Sequence, residues 1–448
     1  MTKKTYITKL KALDKRYQRI VKSSSLGVLA KISSAVVNLL LVPLLLDYLG
    51  TERFALWAIV GSLILWLQLT DFGLGAGLIN QLSKSYGNGD LIAASSYIYI
   101  TTKVLTWISI LFTPIFLSVT LLIPWGTIYN IGSIDLTNEL RNCIIISGVV
   151  FLISSPLSTI QKLYISFQLS YIASTFQILS SAIILLSVSL LIKIQAPIEV
   201  LIIFLSSTPL LTSILLWIHF ISSKSAPLKI VKTNHNIEQI KSIASLSIPL
   251  FLLQISSLFV NEVVIILIAN IGSLSDVTNF NIIQKIYILG FIMASAFTYP
   301  FYPAIREAYE KNEIFWMKNA IKNIFIIRIT IVILYSTVLF VFGNQILNIW
   351  LGEATMRNPS LTHWAILTSC MILVTLSSIL GEILSILDYL WRQIIYVVQT
   401  SIVVIFGSYI YFSEYGIYSI YMATSIATLA PIMGYFVTLK NIIKLKES

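Results

Sequence analysis

Twelve stretches of about twenty or more mostly apolar residues run along this chain, each set off by a short polar segment. They lie near 26–46, 55–80, 97–122, 142–165, 172–194, 198–221, 244–270, 278–304, 320–342, 362–387, 393–412 and 416–438. A helix of that length crosses roughly 30 Å of hydrocarbon. Lipid leaves only helices and closed barrels as ways to satisfy a spanning backbone. These runs are too long and too continuous for barrel strands, which alternate over about ten residues. The pattern therefore predicts an all-α integral membrane protein with twelve transmembrane helices. The border between the fourth and fifth spans is soft, because Gln161 to Tyr171 is only weakly polar. The first stretch does not read as a cleaved leader. It holds Lys31 and Asn38 and is followed by Asp47-Tyr48-Leu49-Gly50 rather than a small-residue cleavage site.

The two halves resemble each other at an offset near 220 residues. Gly50 and Phe54 follow the first span, and Gly272 and Phe280 the seventh. Ile128-Tyr129-Asn130-Ile131 follows the third span, and Ile346-Leu347-Asn348-Ile349 the ninth. Gln177 and Gln399 take similar places in the fifth and eleventh. Six spans per half make each half start on the same side, so the repeat is parallel. Two such bundles around a central cavity are a known transporter plan. The expected division is a basic amphipathic segment over 1–25, a six-helix bundle over 26–221, a cytoplasmic linker over 222–243, a second bundle over 244–438 and a cytoplasmic tail over 439–448.

Composition agrees: 57% of the 448 residues are hydrophobic and 11% charged, where a soluble domain carries about 25% charged residues. Charge adds the orientation. Of 30 Lys and Arg, 22 fall on the side of the termini, four on the opposite side and four within spans. The positive-inside rule then puts both termini in the cytoplasm. Tyr6, Leu10, Leu13, Tyr17 and Ile20 line one face of a lysine-rich N-terminal helix, the pattern of a helix lying on anionic lipid. The net charge of +11 reads as attraction to that membrane surface, with no call for nucleic acid.

Enzyme chemistry is not apparent. No G-x-x-x-x-G-K-[ST] loop occurs, and Gly73-Leu74-Gly75-Ala76-Gly77 lies in a span without a lysine to hold phosphate. His219, His235 and His363 are far apart, and Cys143 and Cys370 suggest neither a disulfide framework nor metal spacing. The outward loops near 123–141 and 343–361 are short, and Asp47 and Glu52 make no D-x-D pair. No cofactor or metal is implied.

Seven charges fall within spans: Lys31, Lys103, Lys285, Arg328, Asp71, Glu262 and Glu382. At a lipid-exposed helix centre each would cost roughly 2.5–3.5 kcal/mol, so intramembrane charges face an interior or an interface. Gly27, Lys31, Ser34 and Asn38 form one helical stripe, and Thr102, Thr106, Ser109 and Thr113 another beside Lys103. Gln254, Ser257 and Asn261 align next to Glu262, and Asn281 sits one turn from Lys285. Such stripes match helices that line a water-filled cavity. Competing readings are that Lys31 and Lys103 snorkel to the inner interface, that Glu382 pairs with Arg392, and that any of the seven makes a structural ion pair.

Two segments carry a family resemblance. Pro43-Leu44-Leu45-Leu46-Asp47-Tyr48-Leu49-Gly50-Thr51-Glu52-Arg53-Phe54-Ala55-Leu56-Trp57 is similar to the end of the first span of polysaccharide-exporting flippases. Asp71-Phe72-Gly73-Leu74-Gly75 and Tyr86-Gly87-Asn88-Gly89-Asp90 continue the pattern, and Asn348-Ile349-Trp350-Leu351-Gly352 resembles the matching loop of the second half. The family is the O-antigen flippase, or Wzx-type, branch of the multidrug/oligosaccharidyl-lipid/polysaccharide (MOP) exporter superfamily. The resemblance implies alternating access driven by an ion gradient in the bacterial cytoplasmic membrane. It implies an undecaprenyl-pyrophosphate-linked oligosaccharide as cargo, for O-antigen and lipopolysaccharide biosynthesis, and a polymerase and chain-length regulator as partners. Lys31, Lys103, Lys285 and Arg328 would then offset the pyrophosphate charge. Asn38, Gln254, Asn261 and Asn281 would meet sugar hydroxyls. Asp71, Glu262 and Glu382 would be cavity or coupling acids. Other readings are a cation-coupled drug antiporter of the same superfamily, which would want an acid-dominated cavity, a lipid II flippase-like protein, which usually has two more spans, and a membrane glycan polymerase or transferase.

Overall fold

A computed structural model of the chain describes residues 3–222, 247–248, 251–255, 258, 262–296, 298, 301–352, 358–387 and 389–447. These are helical, with no strand among them. In chain order the helices are α1 (Lys3–Leu67), α2 (Leu74–Gly87), α3 (Leu91–Leu122), α4 (Trp125–Ile128), α5 (Ile134–Leu157), α6 (Thr159–Ser166), α7 (Ser170–Lys193) and α8 (Ile198–Ser222). They continue as α9 (Val263–Ile271), α10 (Leu274–Ala296), α11 (Phe301–Glu310), α12 (Ile314–Leu351), α13 (Leu361–Ile386), α14 (Leu390–Tyr415) and α15 (Tyr418–Glu447).

Ten helical stretches among the described residues are long and apolar enough to cross a membrane. The difference from twelve has two sources. The first two predicted spans form one stretch, Ser25–Asp71, because the loop expected between them shrinks to a turn at Gly50, whose φ of 70° interrupts α1. The seventh span is interrupted by positions outside the described residues, which leaves no unbroken described stretch of its length. The basic N-terminal segment is helical from Lys3 and runs into the first span without a break.

Two predicted spans are broken rather than straight. After Leu67 the chain makes a 3-10 turn (Gln68–Asp71), then Phe72 and Gly73 take left-handed φ of 50° and 73° before α2 begins. In the second half α10 ends at Ala296 and α11 starts at Phe301. Breaks like these survive in a membrane only where protein or a lined cavity satisfies the freed backbone groups.

The internal repeat is written into the backbone. Helices begin at 91 and 314, 134 and 361, 170 and 390, and 198 and 418, at offsets of 223, 227, 220 and 220 residues. Left-handed residues recur in step: Gly89 with Asn312, Asn130 with Gly352, and Gln195 with Gly416. Gly and Asn tolerate that conformation best, so the two halves conserve the turn while changing the side chain.

The chain divides into two compact units. The first comprises Met1–Leu41, Leu67–Ile123 and Asn138–Phe251. The second comprises Val42–Trp66, Pro124–Thr137 and Leu252–Ser448. In the first, Leu78 and Leu82 of α2 pack with Ile160, Leu163 and Tyr164 of α6 and Phe220 of α8. In the second, Met317 and Ile324 of α12 pack with Ile379, Ile383 and Leu384 of α13 and Leu439 of α15. Lipid tails are as apolar as these side chains, so cohesion rests on close approach at small residues. Phe116 fills the space a Cβ on Gly148 would take, Trp364 does the same at Gly343, and Tyr335 and Met371 at Gly290. The outward faces stay apolar. Leu334, Phe406 and Ile410 are each about two-thirds exposed (63%, 64% and 64%), as suits helices bathed in hydrocarbon.

Candidate transport site

In the second unit, four of the seven span charges settle into two acid–base groups. Arg328 on α12 is 1% exposed and clasps Glu382 on α13 with both terminal nitrogens, Nη1 to Oε2 at 2.7 Å and Nη2 to Oε1 at 3.2 Å. Tyr302 on α11 donates its hydroxyl to the same Oε2, and the Phe291 ring lies 5.8 Å from the guanidinium carbon. The fork geometry suits a guanidinium and a carboxylate. Its position explains how a cation about fifteen residues into a span is tolerated: it is buried against protein and neutralised there. Glu382 therefore does not pair with Arg392, whose Nη1 donates to Thr438 Oγ1 at 2.7 Å.

The other pair is Glu262 and Lys285. Glu262 is buried at 7% exposure just ahead of α9. Lys285, on α10, is close enough for the two charges to interact. Its ammonium sits over the indole of Trp57, 5.6 Å from the ring centroid. Trp57 belongs to the outer part of the α1 stretch, which Thr278 ties to α10 by donating to the Thr51 carbonyl at 2.7 Å. Asn281, one turn from Lys285, is buried with no hydrogen-bond partner for its Oδ1.

A cavity of about 530 Å³ opens inside this unit between α10, α13, α14 and α15. Gln284, Tyr287, Glu382, Gln393, Tyr421 and Tyr435 are among its lining residues. Arg328, Lys285 and Asn281 are not. Helix α10 thus presents Gln284 to the cavity and Lys285 to Trp57.

In the first unit, Asp71 stands at the broken span and accepts a 2.7 Å bond from the Gly73 amide, which holds the turn. Glycine is required at 73. Besides its positive φ, a Cβ there would lie 2.7 Å from the Ser247 carbonyl oxygen. One turn on, a Cβ at Gly75 would meet Asp71 Oδ2 at 3.2 Å and the Lys162 Nζ at 3.7 Å. Lys162, read from sequence as an inner-loop cation, lies on α6, and its ammonium and the Asp71 carboxylate both border Gly75.

Lys31 is exposed and Lys103 half-buried. On the Lys31 stripe, Ser34 Oγ reaches Ser181 Oγ at 3.1 Å and accepts from Gln177 Nε2 at 3.3 Å. Beside Lys103, Thr102 Oγ1 meets Thr159 Oγ1 at 3.2 Å. Other stripe members bond within their own helix: Asn38 to the Ser34 carbonyl, Thr106 to Thr102 and Thr113 to Ser109. Ser, Thr and Asn do this wherever no better partner is available, so a polar stripe alone does not mark a water-filled face. Gln254 is half-buried, and Asn261 lies outside the described residues. Sequence reasoning missed Lys162, Trp57, Tyr302, Gln393 and Tyr421. Their surroundings are built by other helices, and periodicity along one helix cannot find them.

No protein-family model matches the chain. It is 29% identical over 168 residues to a Yersinia pseudotuberculosis protein named "Putative O-antigen export protein", a match covering 36% of either chain. A Salmonella typhimurium protein named "Putative O-antigen transporter" is 38% identical over 56 residues, 12% of this chain and 13% of that one. The matched segment thus spans about a third or less of these relatives. Among solved structures, a multidrug resistance MATE family transporter of the MOP superfamily superposes with a TM-score of 0.78 at 14% identity, covering 92% of this chain and 95% of that one. A MOP superfamily transporter from Pyrococcus furiosus superposes with a TM-score of 0.73 at 13% identity over 97% of both chains.

Proposed function

We propose that this multi-pass membrane protein, which has the fold of MOP superfamily transporters, is a flippase for lipid-linked polysaccharide repeat units. Its cargo would be an undecaprenyl-pyrophosphate-linked oligosaccharide, carried from the cytoplasmic to the periplasmic leaflet of the bacterial inner membrane by ion-coupled alternating access. The observation that carries this reading is the sequence likeness to proteins named for O-antigen export, set on a whole-chain transporter fold. Both termini are cytoplasmic in this reading, from the charge asymmetry. It includes no catalytic residue. A polymerase and a chain-length regulator would act on the exported product.

The charge placement suits the two ends of such a cargo. A pyrophosphate diester carries about two negative charges, and its transfer needs cationic hydrogen-bond donors. Lys31 and Lys103 in the first unit are our assignment for that end, with Asp71 beside Lys162 as the acid that would couple to an ion or proton. In the second unit Arg328 is held by Glu382, so its part in this reading is to keep that acid in place, while Lys285 and Glu262 are our assignments for a further cation and a coupling acid.

Deletion of the gene in its host, with the chain returned on a plasmid, tests the reading. The expected result is loss of surface polysaccharide, build-up of lipid-linked repeat units on the inner leaflet, and restoration of both by the plasmid. Normal surface polysaccharide in the deletion strain would overturn it. The structural likeness to a multidrug transporter favours a second reading, a cation-coupled drug antiporter. That one predicts raised drug susceptibility in the same strain with the polysaccharide intact.

A further inference from the structure

We propose that the cavity of the second unit is a glycan subsite, in which Gln393 and Tyr421 read the hydroxyls of uncharged sugar rings. This rests on the flippase reading and adds where, and by which residues, the cargo's sugar end is recognised.

The argument starts from what the cavity leaves unsatisfied. Gln393 is buried at 7% exposure. Its Oε1 accepts from Ser385 Oγ at 2.9 Å, while its Nε2 has no hydrogen-bond partner. Tyr421 is buried at 4%, and its hydroxyl also has no partner. Both residues line the cavity. Buried polar groups are nearly always bonded, and those left open need a reason. A hydrocarbon occupant such as a lipid tail or detergent chain would leave both groups unpaired. A sugar hydroxyl, which both donates and accepts, satisfies either one.

Charge narrows the ligand further. Glu382 is the one charged side chain among the described residues that line the cavity, and Arg328 neutralises it from outside the lining. A phosphate would meet a carboxylate with no lining cation, so the pyrophosphate does not belong here. A cationic drug would find its anionic partner already held. An uncharged, hydroxyl-rich group fits both limits. Tyr287, Phe291 and Tyr435 give the walls flat aromatic faces against which the C–H faces of pyranose rings pack. The volume, about 530 Å³, falls within the roughly 300–1,000 Å³ of small-molecule sites.

The test uses the full chain, purified into nanodiscs. It is titrated calorimetrically with the host's own repeat-unit oligosaccharide, released from its lipid by mild acid and dephosphorylated. Tyr421→Phe and Gln393→Leu are measured beside the wild type, and each is also returned to the deletion strain. Expected are a roughly tenfold weaker glycan affinity and reduced export for each variant, at normal membrane abundance. Binding of glycan-free undecaprenyl pyrophosphate should stay unchanged. Tyr421→Phe removes one oxygen atom, so it keeps the test decisive if Gln393→Leu fails to fold. Variants that bind and export like the wild type overturn the subsite while leaving the flippase reading standing. So does a wild type that restores export yet binds no free glycan at millimolar concentration. A wild-type chain that fails to restore surface polysaccharide overturns the flippase reading and, with it, the subsite.

Discussion

Replacing Glu382 by Gln should destabilise the protein far more than a one-atom change suggests, and a second substitution should rescue it. Arg328 is 1% exposed and its terminal nitrogens reach both carboxylate oxygens, whereas the Glu382 side chain is 30% exposed. Removing the anion leaves a guanidinium buried without its counter-charge, and breaking such a pair from one side costs about 3–5 kcal/mol. Glutamine keeps one carbonyl oxygen for the guanidinium, so about 3 kcal/mol is the reasonable figure. Arg328→Met strands the partner instead. That carboxylate is partly open and keeps the Tyr302 hydroxyl, so the cost falls to about 1–3 kcal/mol. The double variant Arg328→Met with Glu382→Gln holds no buried charge, and an apolar replacement of a buried pair is often close to neutral. It should recover about 4–6 kcal/mol relative to the sum of the single changes, which is about 3 plus about 1–3 kcal/mol. Heating detergent-purified protein and following the monodisperse peak by size-exclusion chromatography reads these differences. For a chain of 448 residues, about 3 kcal/mol corresponds to a midpoint shift of roughly 3–6 °C by size scaling. Single-variant effects that add within about 0.5 kcal/mol in the double would refute the coupling.

Other consequences follow from the same geometry. Gly73→Ala and Gly50→Ala both place a Cβ on a residue with positive φ, but only the first meets another chain segment, the Ser247 carbonyl at 2.7 Å. Gly50→Ala should cost about 1 kcal/mol and Gly73→Ala about 2–3 kcal/mol, and equal midpoint losses would contradict the close-packed break. Gly89→Asn should be neutral within about 0.5 kcal/mol, because the matched turn carries Asn312 at the same left-handed φ. Gly89→Val should lower the midpoint measurably, and a neutral valine would speak against the repeat-matched turn. Thr278→Val removes the bond to the Thr51 carbonyl and should cost about 1 kcal/mol, read as a lower melting midpoint. A green fluorescent protein fused after Ser448 should fluoresce, and alkaline phosphatase fused there should be inactive. The reverse pattern would invert the topology.

Much of the architecture was legible in the sequence because lipid imposes a simple code. Span length and helical secondary structure follow from hydrocarbon thickness and the cost of unsatisfied backbone, and orientation from the uneven placement of Lys and Arg. The parallel repeat was visible in weak residue matches, and the backbone renders it as left-handed turns at constant offset. The charges themselves were also legible, since any ionised group within a span stands out against lipid.

Their partners were not. Arg328 with Glu382, Lys285 over Trp57, and Lys162 beside Asp71 join residues 54, 228 and 91 positions apart. No periodicity links them. The broken second span looked continuous because its apolar run continues through the break, and only the left-handed Phe72 and Gly73 reveal it. Along the polar stripes, Asn38, Thr106 and Thr113 donate to carbonyls of their own helix, a local pairing that periodicity does not show. The sequence by itself determined that the chain crosses a membrane many times and which charges needed an explanation. Tertiary structure alone decided which charges cancel and which buried polar groups remain open, because both depend on what neighbouring helices bring within about 3 Å.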